Sequence, residues 1–171
     1  MNGEVEHLEA SWQAGQRHVL DEEAQALFDA GRVGLDQNRV DDAVISLRGA
    51  CERAPQNAQV RSFLGLAIAC ANGPFSEARA LCEDAANQEF FNPELYLNLA
   101  KVYLRVDRRS EALRYLRRGQ MIDPGHGPIN QAIASLGRRK LPIVPFLPRR
   151  HPVNRALGTV RTKVLGALFR A

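Results

Sequence analysis

With 171 residues, 45% of them apolar, the chain is long enough for one ordinary domain with a buried core, plus a tail. Its start, Met1-Asn-Gly-Glu-Val-Glu, lacks the basic and apolar segments of a secretory leader, and no apolar run reaches the length of a membrane-spanning helix, so a soluble, cytoplasmic protein is expected. The net charge of +4 hides a division: residues 138–171 hold nine of the 23 basic residues and none of the 19 acidic ones, leaving 14 against 19, or −5, on residues 1–137.

In chain order, Val5, Leu8 and Trp12 fall at helical spacing and predict an N-terminal helix over residues 1–20, with Trp12 covering the first of the repeated stretches. Asp21 reads as the cap of a helix that opens with Glu22-Glu23. From there to Pro124 three similar stretches succeed one another. Gly31, Gly65 and Ala100 are separated by 34 and 35 residues, and Ala43, Ala78 and Ala112 by 35 and 34. Small residues at such points allow two helices to approach closely, and Leu47, Cys82 and Leu116 lie four positions beyond each alanine, on the same helical face. Asn38 reads as part of a helix's first turn, Asn57 as a cap and Pro93 as a first helical residue. The second stretch has one extra residue around Asn72-Gly73-Pro74. After Pro124, Ile129, Ala132, Ile133 and Leu136 have the spacing of a terminal helix that shields an open apolar face. Cys51, Cys70 and Cys82 form an odd set without CxxC spacing and read as small apolar residues inside helices.

This pattern resembles the tetratricopeptide repeat, whose signature W-x2-L-G-x2-Y, A-x3-F, P recurs about every 34 residues. The third stretch matches it at Tyr96, Leu99, Ala100, Tyr103, Ala112, Leu116 and Pro124, and the first at Leu27, Ala30, Gly31, Gly34, Ala43, Leu47, Ala50 and Pro55. The second keeps Leu64, Gly65, Ile68, Ala78 and Ala85. The resemblance implies an all-α solenoid: three helix-turn-helix repeats with a capping helix over residues 21–137, the N-terminal helix before it, and a basic tail over 138–171. It also implies a concave groove lined by the first helix of each repeat. Carried over position by position, the groove residues are Phe28, Arg32, Leu35, Leu66, Leu97, Lys101, Leu104 and Arg105, an apolar strip flanked by cations. Such a surface suits a peptide with apolar anchors and an acidic residue or two. Family members that clamp a C-terminal carboxylate use Lys, Asn and Arg at places held here by Phe28, Arg32, Phe63, Glu94 and Asn98, so that mode of binding is disfavoured. In size and added N-terminal helix the chain is also similar to the three-repeat chaperones of bacterial secretion systems.

No HExxH, GxSxG, Walker-type or GxGxxG pattern occurs, and His7, His18, His126 and His151 are scattered. Glu22-Glu23 and Asp41-Asp42 stand at helix starts, where negative charge complements the helix dipole. The expectation is a protein-interaction adaptor, scaffold or chaperone-like module that is not an enzyme and needs neither metal nor cofactor.

In the tail, Pro142, Pro145 and Pro148 recur every third residue, the period of a polyproline II strap. Val153, Leu157, Val160, Val164 and Leu168 then form one stripe of a basic amphipathic helix. Its cationic candidates are Arg138, Arg139, Lys140, Arg149, Arg150, Arg155, Arg161 and Lys163. Docking on the acidic repeats, in cis or in a homodimer, and binding to an anionic membrane or a partner protein stay open for this helix. Nucleic acid is disfavoured, because Phe146 and Phe169 are the tail's only aromatic residues.

Overall fold

The computed structural model describes residues 20–137, so the expected N-terminal helix, strap and basic tail helix lie outside the described residues. Within it the chain forms α1 (Glu22–Asp36), α2 (Val40–Arg53), α3 (Ala58–Cys70), α4 (Phe75–Gln88), α5 (Pro93–Arg105), α6 (Arg109–Ile122) and α7 (Gly127–Gly137). The first six pair as three antiparallel hairpins, α1–α2, α3–α4 and α5–α6, stacked so that each hairpin packs on the next.

The helix starts reflect local chemistry. The Asp21 carboxylate accepts the Ala24 N–H at 2.6 Å and the Asn57 side-chain carbonyl accepts the Val60 N–H at 3.0 Å. Asn92 does the same for Glu94 at 3.2 Å, just ahead of Pro93, whose missing N–H costs nothing in a first turn.

The turn inside each hairpin is built on a left-handed residue: Asn38, Asn72 and Asp107 all have φ 58°. Asn38 is therefore not in the first turn of a helix as its position suggests; it ends α1. Short polar side chains tolerate this conformation, and the next N–H reaches back five residues, Arg39 to Gly34, Gly73 to Ile68 and Arg108 to Tyr103, at 2.8, 2.9 and 3.0 Å. In the first and third hairpins that donor residue also precedes the next helix directly, whereas in the second Pro74 is added after Gly73. The extra residue is thus taken up inside one turn.

Small residues hold the hairpins closed. Ala43, Ala78, Ala112, Leu47, Cys82 and Leu116 are fully buried. A Cβ on Gly31 would sit 2.4 Å from Leu47 Cγ, and one on Gly65 would sit 2.7 Å from both the Ala78 carbonyl oxygen and Cys82 Sγ. At the far end, Ile129 of α7 is buried, with Ala132, Ile133 and Leu136 packed on the same core, as the capping role requires. No helix among the described residues is long and apolar enough to cross a membrane.

The Cys82 thiol donates to the Ser62 carbonyl at 3.3 Å, and burial pushes its pKa up to about 12. A thiol so shielded supplies almost no thiolate at neutral pH. Native protein treated with a thiol-alkylating reagent is expected to keep Cys82 unmodified until denaturant is added, which peptide mapping by mass spectrometry would check.

Candidate concave interaction site

The groove residues expected from the sequence divide into three groups. Phe28, Leu66 and Leu97 are only 4%, 6% and 3% exposed and belong to the core, so no open apolar strip runs along the first helices. Leu35 and Leu104 are half-buried, and Arg32, Lys101 and Arg105 are exposed. Stacking accounts for the buried group, because the first helix of one repeat packs on the first helix of the next, α3 on α5 and α1 on α3.

The three cations do different things. Arg105 donates from Nε to the Ala69 carbonyl at 3.3 Å and from a terminal nitrogen to the Cys70 carbonyl at 2.5 Å. It thereby satisfies the last carbonyls of α3 and ties repeats two and three together. Its guanidinium is committed to the fold rather than free in the groove. Arg32 lies 5.7 Å from the Phe28 ring centre and 5.4 Å from that of Phe63, and the two rings meet edge to face at 5.3 Å. The aromatic faces hold the guanidinium in place without neutralising it. Phe63, which the sequence marks only as a departure from the carboxylate clamp, is therefore part of this arrangement.

Lys101 stands beside a hollow of about 440 Å³ bounded by Leu97 and Leu104 of α5 and by Pro128, Gln131 and Ala132 of α7. The structure thus brings Leu97, Lys101 and Leu104 together, and α7 forms the opposite wall as well as capping the core. Arg32, Phe28 and Phe63 form a separate cluster where α1 meets α3. The remaining clamp positions are also occupied: the Glu94 carboxylate lies 3.6 Å from His126 Nε2, and Asn98 is buried with its amide donating to Ser62 Oγ at 3.2 Å.

On the other side of the same helices, the Tyr103 hydroxyl donates to Glu83 at 3.0 Å while its ring stacks on Tyr115 at 5.3 Å. Burial first, and the Glu83 hydrogen bond second, push the Tyr103 pKa up to about 12 from 10. A group that holds its proton more tightly when folded stabilises the fold below pH 10 and loses that contribution as pH rises towards 12. An alkaline titration of phenolate absorbance should therefore show a late ionisation step, and Tyr103→Phe should remove it. No group of three or more His, Cys, Asp or Glu among the described residues is placed to hold a metal ion.

The tetratricopeptide-repeat family model matches residues 69–136. No curated protein matches the chain by sequence. Among solved structures, the first such domain of Spaghetti (RPAP3), bound to the HSP90 peptide SRMEEVD, is similar with a TM-score of 0.57 and 16% identity, over 71% of this chain and 95% of that one. The TPR2B domain of yeast Sti1, in complex with an Hsp70 peptide, has a TM-score of 0.57 and 21% identity over 70% of this chain and 100% of that one. The Arabidopsis OM64 domain has a TM-score of 0.55 and 19% identity over 70% and 98%. At these identities the likeness is one of fold. With the family match over residues 69–136 and the three stacked hairpins, it shows that the described residues have the tetratricopeptide-repeat fold.

Proposed function

We propose that the domain is a cytoplasmic protein-interaction module, an adaptor or chaperone-like scaffold without catalysis of its own, that takes a peptide segment on its concave side. The observation that carries this reading is the hollow between α5 and α7, where an exposed ammonium stands beside leucine walls. Arg32, fixed over Phe28 and Phe63, supplies a second cation at the other end. Charge also runs along the repeats: residues 21–57 hold eight acidic and four basic side chains, and residues 93–126 hold four and seven. An acidic stretch of the ligand would accordingly lie towards the third repeat, with an apolar side chain in the hollow. The RPAP3 and Sti1 domains hold HSP90 and Hsp70 peptides, which supports peptide binding as the general task. With Phe28, Phe63 and Glu94 at the clamp positions, an internal acidic segment fits this chain better than a free C-terminal carboxylate.

Selection from a displayed peptide library against the full-length protein tests the reading. Enrichment of sequences that pair an apolar residue with nearby Asp or Glu is expected. Failure to enrich any sequence, or enriched peptides that bind Lys101→Glu and Arg32→Glu variants equally well, would overturn it.

A second reading rests on the nine positive charges of residues 138–171, which suit an anionic membrane or, less well, nucleic acid. Binding to vesicles containing phosphatidylglycerol that persists after removal of these residues would rule that reading out.

A further inference from the structure

The turns that join one repeat to the next differ in one respect that the fold does not require. Between α2 and α3 the turn carries Pro55-Gln56, and between α6 and α7 it carries Pro124-Gly125. The equivalent places between α4 and α5 are held by Phe90 and Phe91, which are 51% and 74% exposed with ring centres 4.1 Å apart. The backbone is almost the same at the first two of these turns: Glu89, before Phe90, has φ −119° and ψ 67°, and Ala54, before Pro55, has φ −128° and ψ 65°. The turn forms without aromatic residues, so their exposure has no structural return.

A third departure lies at the corresponding end of the next repeat's second helix. Met121, in the last turn of α6, is 84% exposed, where the matching places on α2 and α4 are Glu52 and Asn87. Tyr96 links the two features, since its hydroxyl donates to the Phe90 carbonyl at 3.2 Å and its ring lies 5.4 Å beneath the Arg118 guanidinium, one turn before Met121. Exposed Phe and Met with Arg beside them is the composition of a protein–protein contact rather than of a solvated edge.

The charges around this patch are split. Asp84 and Glu89 lie on the α4 side, Arg117 and Arg118 on the α6 side, and Asp84 and Arg118 hold equivalent places in successive repeats. We propose that this edge is where two copies of the chain associate. A two-fold axis in the contact plane, running between the halves, sets the cations of one copy against the anions of the other while the aromatic pairs meet at the centre. The charge split is what selects a second copy over an anionic surface, which Asp84 and Glu89 would repel. With three large apolar side chains a side, the contact is small, and a dissociation constant on the order of 10–100 µM is expected.

Sedimentation equilibrium of the full-length protein over that concentration range is the test. Wild type is expected to pass reversibly from monomer to dimer. The F90P/F91Q variant, which copies the turn of the first repeat, should stay monomeric and keep the wild-type unfolding midpoint. Arg117→Glu should weaken the dimer about tenfold, and adding Asp84→Arg to it should restore most of the loss. A wild type that remains monomeric throughout, a dimer that survives F90P/F91Q unchanged, or a dimer lost only on removal of residues 138–171 would each overturn the proposal. Because none of these variants touches the concave side, peptide selection is independent of the outcome.

Discussion

Replacing Gly65 with valine is expected to destabilise the domain by about 3 kcal/mol, at the upper end of what overfilling a packed core costs. The first added carbon would meet the Ala78 carbonyl oxygen and Cys82 Sγ at 2.7 Å and Leu81 Cβ at 3.2 Å. The Ala78 contact is with backbone and Cys82 is itself fully buried, so neither can swing aside, and α3 and α4 must separate. Valine's slightly better helix propensity recovers only a few tenths of a kcal/mol of that loss. Gly49 is a suitable control: its Cβ would meet Leu27 Cδ1 at 3.3 Å, the end of a flexible side chain, so Gly49→Ala should cost little or add stability. Urea denaturation monitored by helical circular dichroism measures both, and equal midpoints for Gly65→Val and wild type would contradict the packing account.

For Lys101→Glu the expected result is a loss of tenfold or more in affinity for peptides selected on the wild-type protein, with stability changed by no more than about 0.5 kcal/mol. The side chain is exposed at the rim of the hollow and carries none of the core, so a binding defect would not be a folding defect. Arg105→Glu should behave in the opposite way. Its hydrogen bonds to Ala69 and Cys70 join α5 to the end of α3, so its loss lowers the unfolding midpoint first. Titration calorimetry of both variants beside urea denaturation separates the two roles. Raising the salt concentration should weaken wild-type binding and leave the Lys101→Glu variant less affected, since the screened charge is already gone.

The contrast between these two cations shows where reading the sequence stops. Lys101 and Arg105 are one helical turn apart on α5, and the resemblance to the repeat family assigns both to the groove. Only one is free, because the carbonyls that hold Arg105 lie 36 and 35 residues away in the chain. The same limit applies to Phe28, Leu66 and Leu97: the family resemblance puts them on one strip across three helices, but whether that strip faces solvent depends on how each repeat packs against its neighbour. Asn38, Asn72 and Asp107 are a different case. They recur at 34 and 35 residues with the short polar side chains that left-handed turns accept, so the turn is marked in the sequence even though the place of Asn38 also suits a first helical turn.

The repeat is legible from the residues alone: its period, its small contact residues at Gly31, Gly65 and Ala100, its caps at Asp21 and Asn57, and a terminal helix beginning after Pro124. These are local or strictly periodic features, governed by side-chain volume and by hydrogen bonds a few residues long. Packing of the hairpins decides which cations remain free, that α7 walls a hollow beside Lys101 as well as closing the core, and that Phe90, Phe91 and Met121 are left exposed. Each of those outcomes depends on distances between side chains a whole repeat apart, which arise only when the hairpins stack.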